Sequence, residues 1–199
     1  KSALKPFRAK IVDGAYASMI RRIESGTASR FLLLQYSQSA VTSLVAIHRS
    51  FITRELIQER KPLSPSARRA GWIGCNILLG GIPPEGRIPL IQNGIPISKK
   101  RSRAIFAATE RLGKQSLRGR SWSRALLNCL HQLSAPGFTL EQAYRFEHEL
   151  SLLYPENKNV RPKIRQQLQV LRDAGLLVFE GCGNYRLVYG ARITGDVLP

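Results

Sequence analysis

Residues 160–189 read VRPKIRQQLQVLRDAGLLVFEGCGNYRLVY, and the order of signals within this run decides the fold of the C-terminal half. Val160, Ile164, Leu168 and Leu171 recur at spacings of four, four and three, which predicts an amphipathic helix with one buried face. Pro162 is tolerated in the first turn, and Gly175 ends the helix. Leu176–Glu180 and Tyr185–Tyr189 then read as two short strands, joined through Gly181-Cys182-Gly183-Asn184 as a hairpin.

Upstream of this run, Ser121 to Leu133 carries apolar residues at 122, 125, 126, 129, 130 and 133, a helical stripe that makes Trp122 a core residue. Thr139 follows Gly137 and stands three residues before Gln142, the capping-box pattern, so a second helix is expected from Leu140 to Leu153. Pro155-Glu156-Asn157-Lys158 breaks it. Three helices and a terminal hairpin make an α+β winged helix-turn-helix.

Further upstream, Gly113 to Ser121 is polar, basic and without apolar periodicity, the best linker candidate. A division at this point separates residues 1–117 from 118–199. In the first part, Ala15–Ile23 has helical periodicity, with Asp13 as a candidate cap. Phe31–Tyr36 and Val41–Ile47 read as buried strands. Arg87–Gln92 is a further strand that Pro89 confines to an edge or an early position, and Ser102–Leu112 is a second helix. The expected architecture is a mixed α/β layer followed by the winged helix.

A hydrophobic fraction of 43% excludes wholesale disorder, and no stretch reaches the ~20 apolar residues of a membrane helix. Cys75, Cys129 and Cys182 form no CxxC pair, which excludes a disulfide scaffold or a zinc site built from this chain alone and suits a cytoplasmic setting. They are expected to be buried or neutral thiols. His48, His131 and His148 have no ligand spacing. The net charge is +18 and the isoelectric point about 10.8, the footprint of a partner rich in phosphates or of an anionic surface. The first 117 residues hold 20 basic and 6 acidic side chains, the remainder 11 and 7.

Opposite its apolar face, the helix over 160–174 presents Arg161, Lys163, Arg165, Gln166, Gln169 and Arg172. Arginine can bond guanine O6 and N7, glutamine can bond adenine N6 and N7, and a helix of this kind fits the major groove. Arg186 on the wing either reaches a phosphate or the minor groove, or is an ordinary exposed strand residue. Trp72, between Gly71 and Gly74 beside Arg68 and Arg69, is either a core tryptophan or a flat ring that packs on adenine methyl groups while the arginines hold phosphates.

The run from Val160 to Asp173, with Phe179-Glu180-Gly181 and Tyr185-Arg186, resembles the winged-helix domain of DpnI-type (Dam-replacing family) restriction endonucleases. The first half resembles the same family at Asp13-Gly14-Ala15-Tyr16-Ala17 and again, over a longer run of unusual composition, from Arg60 to Ile77. The similarity covers essentially the whole chain in order. It implies a prokaryotic, cytoplasmic, magnesium-dependent enzyme, expected as a monomer, that cuts duplex DNA at GATC when the adenine is N6-methylated. Its catalytic domain would be of the PD-(D/E)XK nuclease type. The resemblance places Trp72 where the catalytic domain contacts the methylated target, and matches Lys1, fifteen residues before Tyr16, to the catalytic lysine.

The two metal-binding carboxylates of that motif, and the family's cysteine pairs for zinc, would precede Lys1. Met19 is the only methionine, so the natural start is expected to lie upstream. Asp13 and Glu24 are not followed two residues later by lysine and are not expected to replace the missing carboxylates. Magnesium is therefore expected in the parent protein and not on residues of this chain alone, which should bind DNA without cutting it. The rival expectation is a winged-helix regulator without nuclease chemistry, which leaves the Trp72 run unexplained. A basic membrane-surface protein has little support, because no long helix sets a wide apolar face against lysines.

Overall fold

A computed structural model of the chain describes residues 2–3, 9–27 and 31–188. Its first part runs, in chain order, β1 (Ser2–Ala3), β2 (Lys10–Ala15), α1 (Tyr16–Glu24), β3 (Phe31–Ser37), β4 (Ala40–Ile47), β5 (Ile57–Glu59), β6 (Gly74–Leu78), β7 (Arg87–Gln92), β8 (Ile95–Pro96) and α2 (Lys99–Leu112). The second part runs α3 (Leu117–Leu130), β9 (Gly137–Thr139), α4 (Leu140–Tyr144), α5 (Glu147–Leu153), α6 (Val160–Asp173), β10 (Leu177–Gly181) and β11 (Asn184–Leu187).

The first part holds two sheets, one of order β1-β3-β4-β7-β8 and one of order β2-β6-β5. The apolar runs of β3 and β4 are strands, as expected, and form an antiparallel pair, but they are not buried throughout. Leu33 and Gln35 point into the core while Leu32 is 53% exposed. The sheet is covered on one side here, so alternation replaces the continuous burial that an apolar run suggested. Pro89 sits third in β7. The strand is not at the edge, yet β8 pairs only with Ile91 and Gln92, so the missing amide hydrogen of Pro89 falls where no neighbour demands it.

The smaller sheet was not anticipated at all. Asp13, the candidate cap of the helix over Ala15–Ile23, lies instead in a strand paired with β6, and the residue capping α1 is Ala15, which makes no side-chain cap bond. Short strands with mixed polarity leave little periodicity to read.

Among the described residues the second part has the order helix, strand, two short helices, helix and hairpin, with a three-stranded sheet of order β10-β11-β9. This is a winged helix-turn-helix. Thr139 Oγ1 accepts from the Gln142 amide at 3.2 Å while Gln142 Oε1 accepts from the Thr139 amide at 2.7 Å, the reciprocal pair that the sequence predicted. The helix that follows is interrupted at Arg145-Phe146 rather than continuous to Leu153. The supposed linker is also shorter than expected. Ser116 Oγ accepts from the Gly119 amide and starts α3 at Leu117, so helix occupies most of Gly113–Ser121. Similarly, Ser98 caps α2, which begins three residues before the expected Ser102.

The wing turn is tighter than a four-residue loop. Gly181 pairs with Asn184, and Cys182 and Gly183 between them have φ of 47° and 76°. Positive φ at both central residues is the turn whose twist matches that of the flanking strands. The expected end of the second strand at Tyr189 lies outside the described residues.

One apolar core runs through both parts, from Ile47, Phe51, Ile77 and Ile82 to Trp122, Leu126 and Leu130 and on to Ile164 and Leu168. Trp122 is fully buried and stacks on Tyr154 with ring centroids 4.1 Å apart. The seam between the parts is polar and specific. Arg124 and Asn128 of α3 both donate to the Gly81 carbonyl, at 3.3 and 2.9 Å. His131 Nε2 lies 2.9 Å from both carboxylate oxygens of the buried Glu85, and Arg111 donates to the Ala174 carbonyl at 3.0 Å. Histidines without ligand spacing thus act as structural ties, a role the spacing could not reveal.

Candidate nucleic-acid interface

The apolar residues of α6 pack as their spacing required. Ile164, Leu168 and Leu171 are fully buried and Val160 nearly so. The opposite face carries the expected Arg161, Arg165, Gln166, Gln169 and Arg172, all exposed. Lys163 is half-buried, with its Nζ donating to Gln166 Oε1 at 2.7 Å; burial, and then the charge of Arg118, lowers its pKa. Gln167, which the pattern left without a role, turns inward and accepts from Ser123.

These exposed cations are not equivalent. Arg161 Nε donates to Glu147 Oε2 at 2.7 Å, and that bond raises the guanidinium pKa. Arg172 pairs with Asp173 at 3.0 Å, and Arg186 on β11 pairs with Glu180 on β10. Arg165 has no ion pair among the described residues. Its guanidinium lies 5.7 Å from the centroid of the Tyr144 ring, which also receives Arg161 at 5.2 Å. Tyr144 and Glu147 escaped the sequence reading because they lie on other helices, remote in number from the residues they touch. The only available clue was the i, i+4 spacing of Arg161 and Arg165, which puts both on one helix face.

Trp72 lies on a ribbon that extends β5 and β6, and Arg68 and Arg69 lie in the turn at its tip. The Arg60 amide donates to the Gly74 carbonyl, the Leu63 amide to Trp72, and the Gly71 amide back to Leu63. Gly71 closes the turn with φ of 77°. Trp72 is not a core tryptophan. It is half-buried, and its ring folds back over its own ribbon, so that a Cβ at Gly74 would lie 2.8 Å from it. Arg60, Lys61, Arg68 and Arg69 are exposed on the same ribbon. A cationic two-stranded ribbon, like a helix, fits the major groove.

Lys1 lies outside the described residues. Among the described residues no group of three or more His, Cys, Asp or Glu side chains could hold a metal ion. Asp13 lies in β2, and Glu24 accepts from Arg54 at 2.6 Å. These residues do not fit a magnesium site. Cys75 and Cys129 are buried, and burial pushes the Cys129 thiol up to about 12, whereas Cys182 is exposed at the wing turn. No helix among the described residues is long and apolar enough to cross a membrane.

The sequence matches the Dam-replacing family (DpnI) over residues 1–115 and the Dam-replacing HTH domain over residues 118–187. The two matches fall in the same order as the mixed α/β part and the winged helix. The chain therefore belongs to the Dam-replacing (DpnI) family of DNA-directed restriction enzymes, with a mixed α/β domain followed by a DNA-binding helix-turn-helix domain.

Proposed function

We propose that this chain binds duplex DNA at GATC sites whose adenines are N6-methylated, using α6 as a major-groove reader and the Trp72 ribbon as a second contact. The observation that carries the reading is the exposed row Arg165, Gln166 and Gln169 on a helix whose other face is fully buried. Side chains able to bond guanine and adenine edges then project from a rigid support. Arg68 and Arg69 hold phosphates, and the exposed part of the Trp72 ring meets the methyl groups. Lys163, Arg161 and Arg172 serve the backbone, which positions the helix without reading bases.

In this reading the first domain is of the PD-(D/E)XK type and a single copy engages one site. Bound magnesium would activate water and neutralise phosphate charge. The chain is proposed to bind DNA without cutting it on its own. Lys1 remains the proposed counterpart of the catalytic lysine.

Titration by fluorescence anisotropy against duplexes that are fully methylated, hemimethylated or unmethylated at one GATC tests this. Tighter binding of the fully methylated duplex is expected. Equal affinity for all three sinks the methyl-directed reading, and equal affinity for a duplex lacking GATC sinks site recognition altogether.

A further inference from the structure

Arg161 and Arg165 stand four residues apart on α6, so their charges repel across one turn. Both guanidiniums nevertheless lie over one aromatic ring, that of Tyr144, at 5.2 and 5.7 Å from its centroid. The electron-rich face of an aromatic ring attracts cations at this range. Tyr144 ends α4, a different helix, and is only 8% exposed, so the ring is fixed by packing rather than by the arginines themselves. Glu147, at the start of α5, takes the Nε of Arg161. Arg161 is thereby held from two sides, whereas Arg165 is held by the ring and leaves its remaining donors toward solvent.

We infer that Tyr144 is a positioning residue for DNA reading: its ring gathers Arg161 and Arg165 and pre-aims the Arg165 guanidinium at the groove. The inference rests on the DNA-binding reading above and deepens it. An arginine side chain free to explore its rotamers must be immobilised on binding, and a ring that restricts it beforehand lowers that cost. The restriction also biases which base edge the fork can meet, so it acts on discrimination as well as on affinity.

Two measurements separate the inference from its premise. The first needs no DNA. In 1H–15N spectra of the arginine Nε–H groups, Arg165 should show an upfield ring-current displacement in the native protein and in Tyr144→Phe, and lose it in Tyr144→Leu. An Arg165 signal unmoved by Tyr144→Leu overturns the inference whether or not the protein binds DNA.

The second measurement is the affinity of the whole chain for a methylated GATC duplex. Tyr144→Phe should bind within about twofold of the native protein and Tyr144→Leu about three- to tenfold more weakly, the scale of one or two cation–π contacts. Most of the loss should vanish when Arg165→Ala is already present, because the ring then has only Arg161, already held by Glu147, left to hold. Losses that multiply instead, as a general defect of packing would produce, overturn the inference, and so does a Tyr144→Phe variant as weak as Tyr144→Leu. Failure of the native protein to bind any duplex sinks the DNA-binding reading, while the spectra still decide the geometry.

Discussion

Ser123 Oγ donates a 2.6 Å hydrogen bond to Gln167 Oε1 across the junction of α3 and α6, and both side chains are almost completely buried. Gln115 Nε2 approaches the same hydroxyl at 3.3 Å. A polar bridge in an apolar junction fixes the rotation of the reading helix, because any other rotation leaves the amide without its partner. Ser123→Ala strands the Gln167 oxygen and is expected to cost about 1–3 kcal/mol. At ~2–4 °C per kcal/mol for a chain of this size, thermal unfolding should fall by about 2–12 °C. Replacing both residues, as Ser123→Ala with Gln167→Leu, should recover much of the loss. A double variant as unstable as the sum of the singles contradicts the bridge.

A partly buried contact ties α2 to the turn after β4. The Ser50 amide donates to His48 Nδ1 at 3.2 Å, so that nitrogen carries the lone pair and the hydrogen sits on Nε2, which lies 2.7 Å from Glu110 Oε2. The His48 bond, aided by Arg49, holds the Glu110 carboxyl below its ordinary value. A lowered carboxylate contributes stability that is complete above the unfolded value, about 4.5 here, and is lost as pH falls through the folded one. Glu110→Gln should therefore melt below the native protein at neutral pH, with the difference closing on acidification below about 4.5. A difference that stays constant from neutral to acid pH rules out this linkage.

The thiols should separate by burial. Cys129 is buried and desolvation pushes it up to about 12, so it carries almost no thiolate near neutrality. Cys75 is likewise buried, and Cys182 stands exposed at the wing turn. A thiol-disulfide reagent at pH 8 should label Cys182 rapidly and the other two only on unfolding. Rapid labelling of two or three thiols in the native protein contradicts the packing of α3 and β6.

The winged helix was legible because its signals are local. The Thr139 capping box, the Gly175 stop and the apolar row of α6 each depend on a few neighbouring residues, and all three hold. What escaped depends on pairing at a distance. Strands β2, β5 and β6 have no clear alternation and form by pairing with one another across up to about 70 residues of chain. Arg161, Arg165, Gln166, Gln169 and Arg172 were readable as one exposed face because helical geometry dictates it. Their unequal status was not, since Glu147, Tyr144 and Glu180 reach them only through the fold. The Trp72 ribbon falls between these cases: its composition stood out, but whether the ring packed inward or lay open could not be read from its neighbours.

The cations of the winged helix should accordingly rank by what already holds them. Arg165 is unpaired among the described residues, and its replacement by alanine should weaken methylated-duplex binding by about 1–3 kcal/mol. Arg161→Ala should cost less, since Arg161 is already engaged by Glu147 and must give up that ion pair to reach a phosphate. Arg186 is the informative case, because its partner Glu180 lies on the adjacent wing strand and is exposed. If Arg186 meets a phosphate, DNA must displace Glu180, and Glu180→Gln removes that competition and one repelling charge. The measured slope of log affinity against log salt should then steepen by up to about one unit, since each neutralised phosphate adds about −0.9. If the slope and affinity of Glu180→Gln match those of the native protein, Arg186 is an ordinary exposed strand residue and the wing makes no charged contact with the duplex.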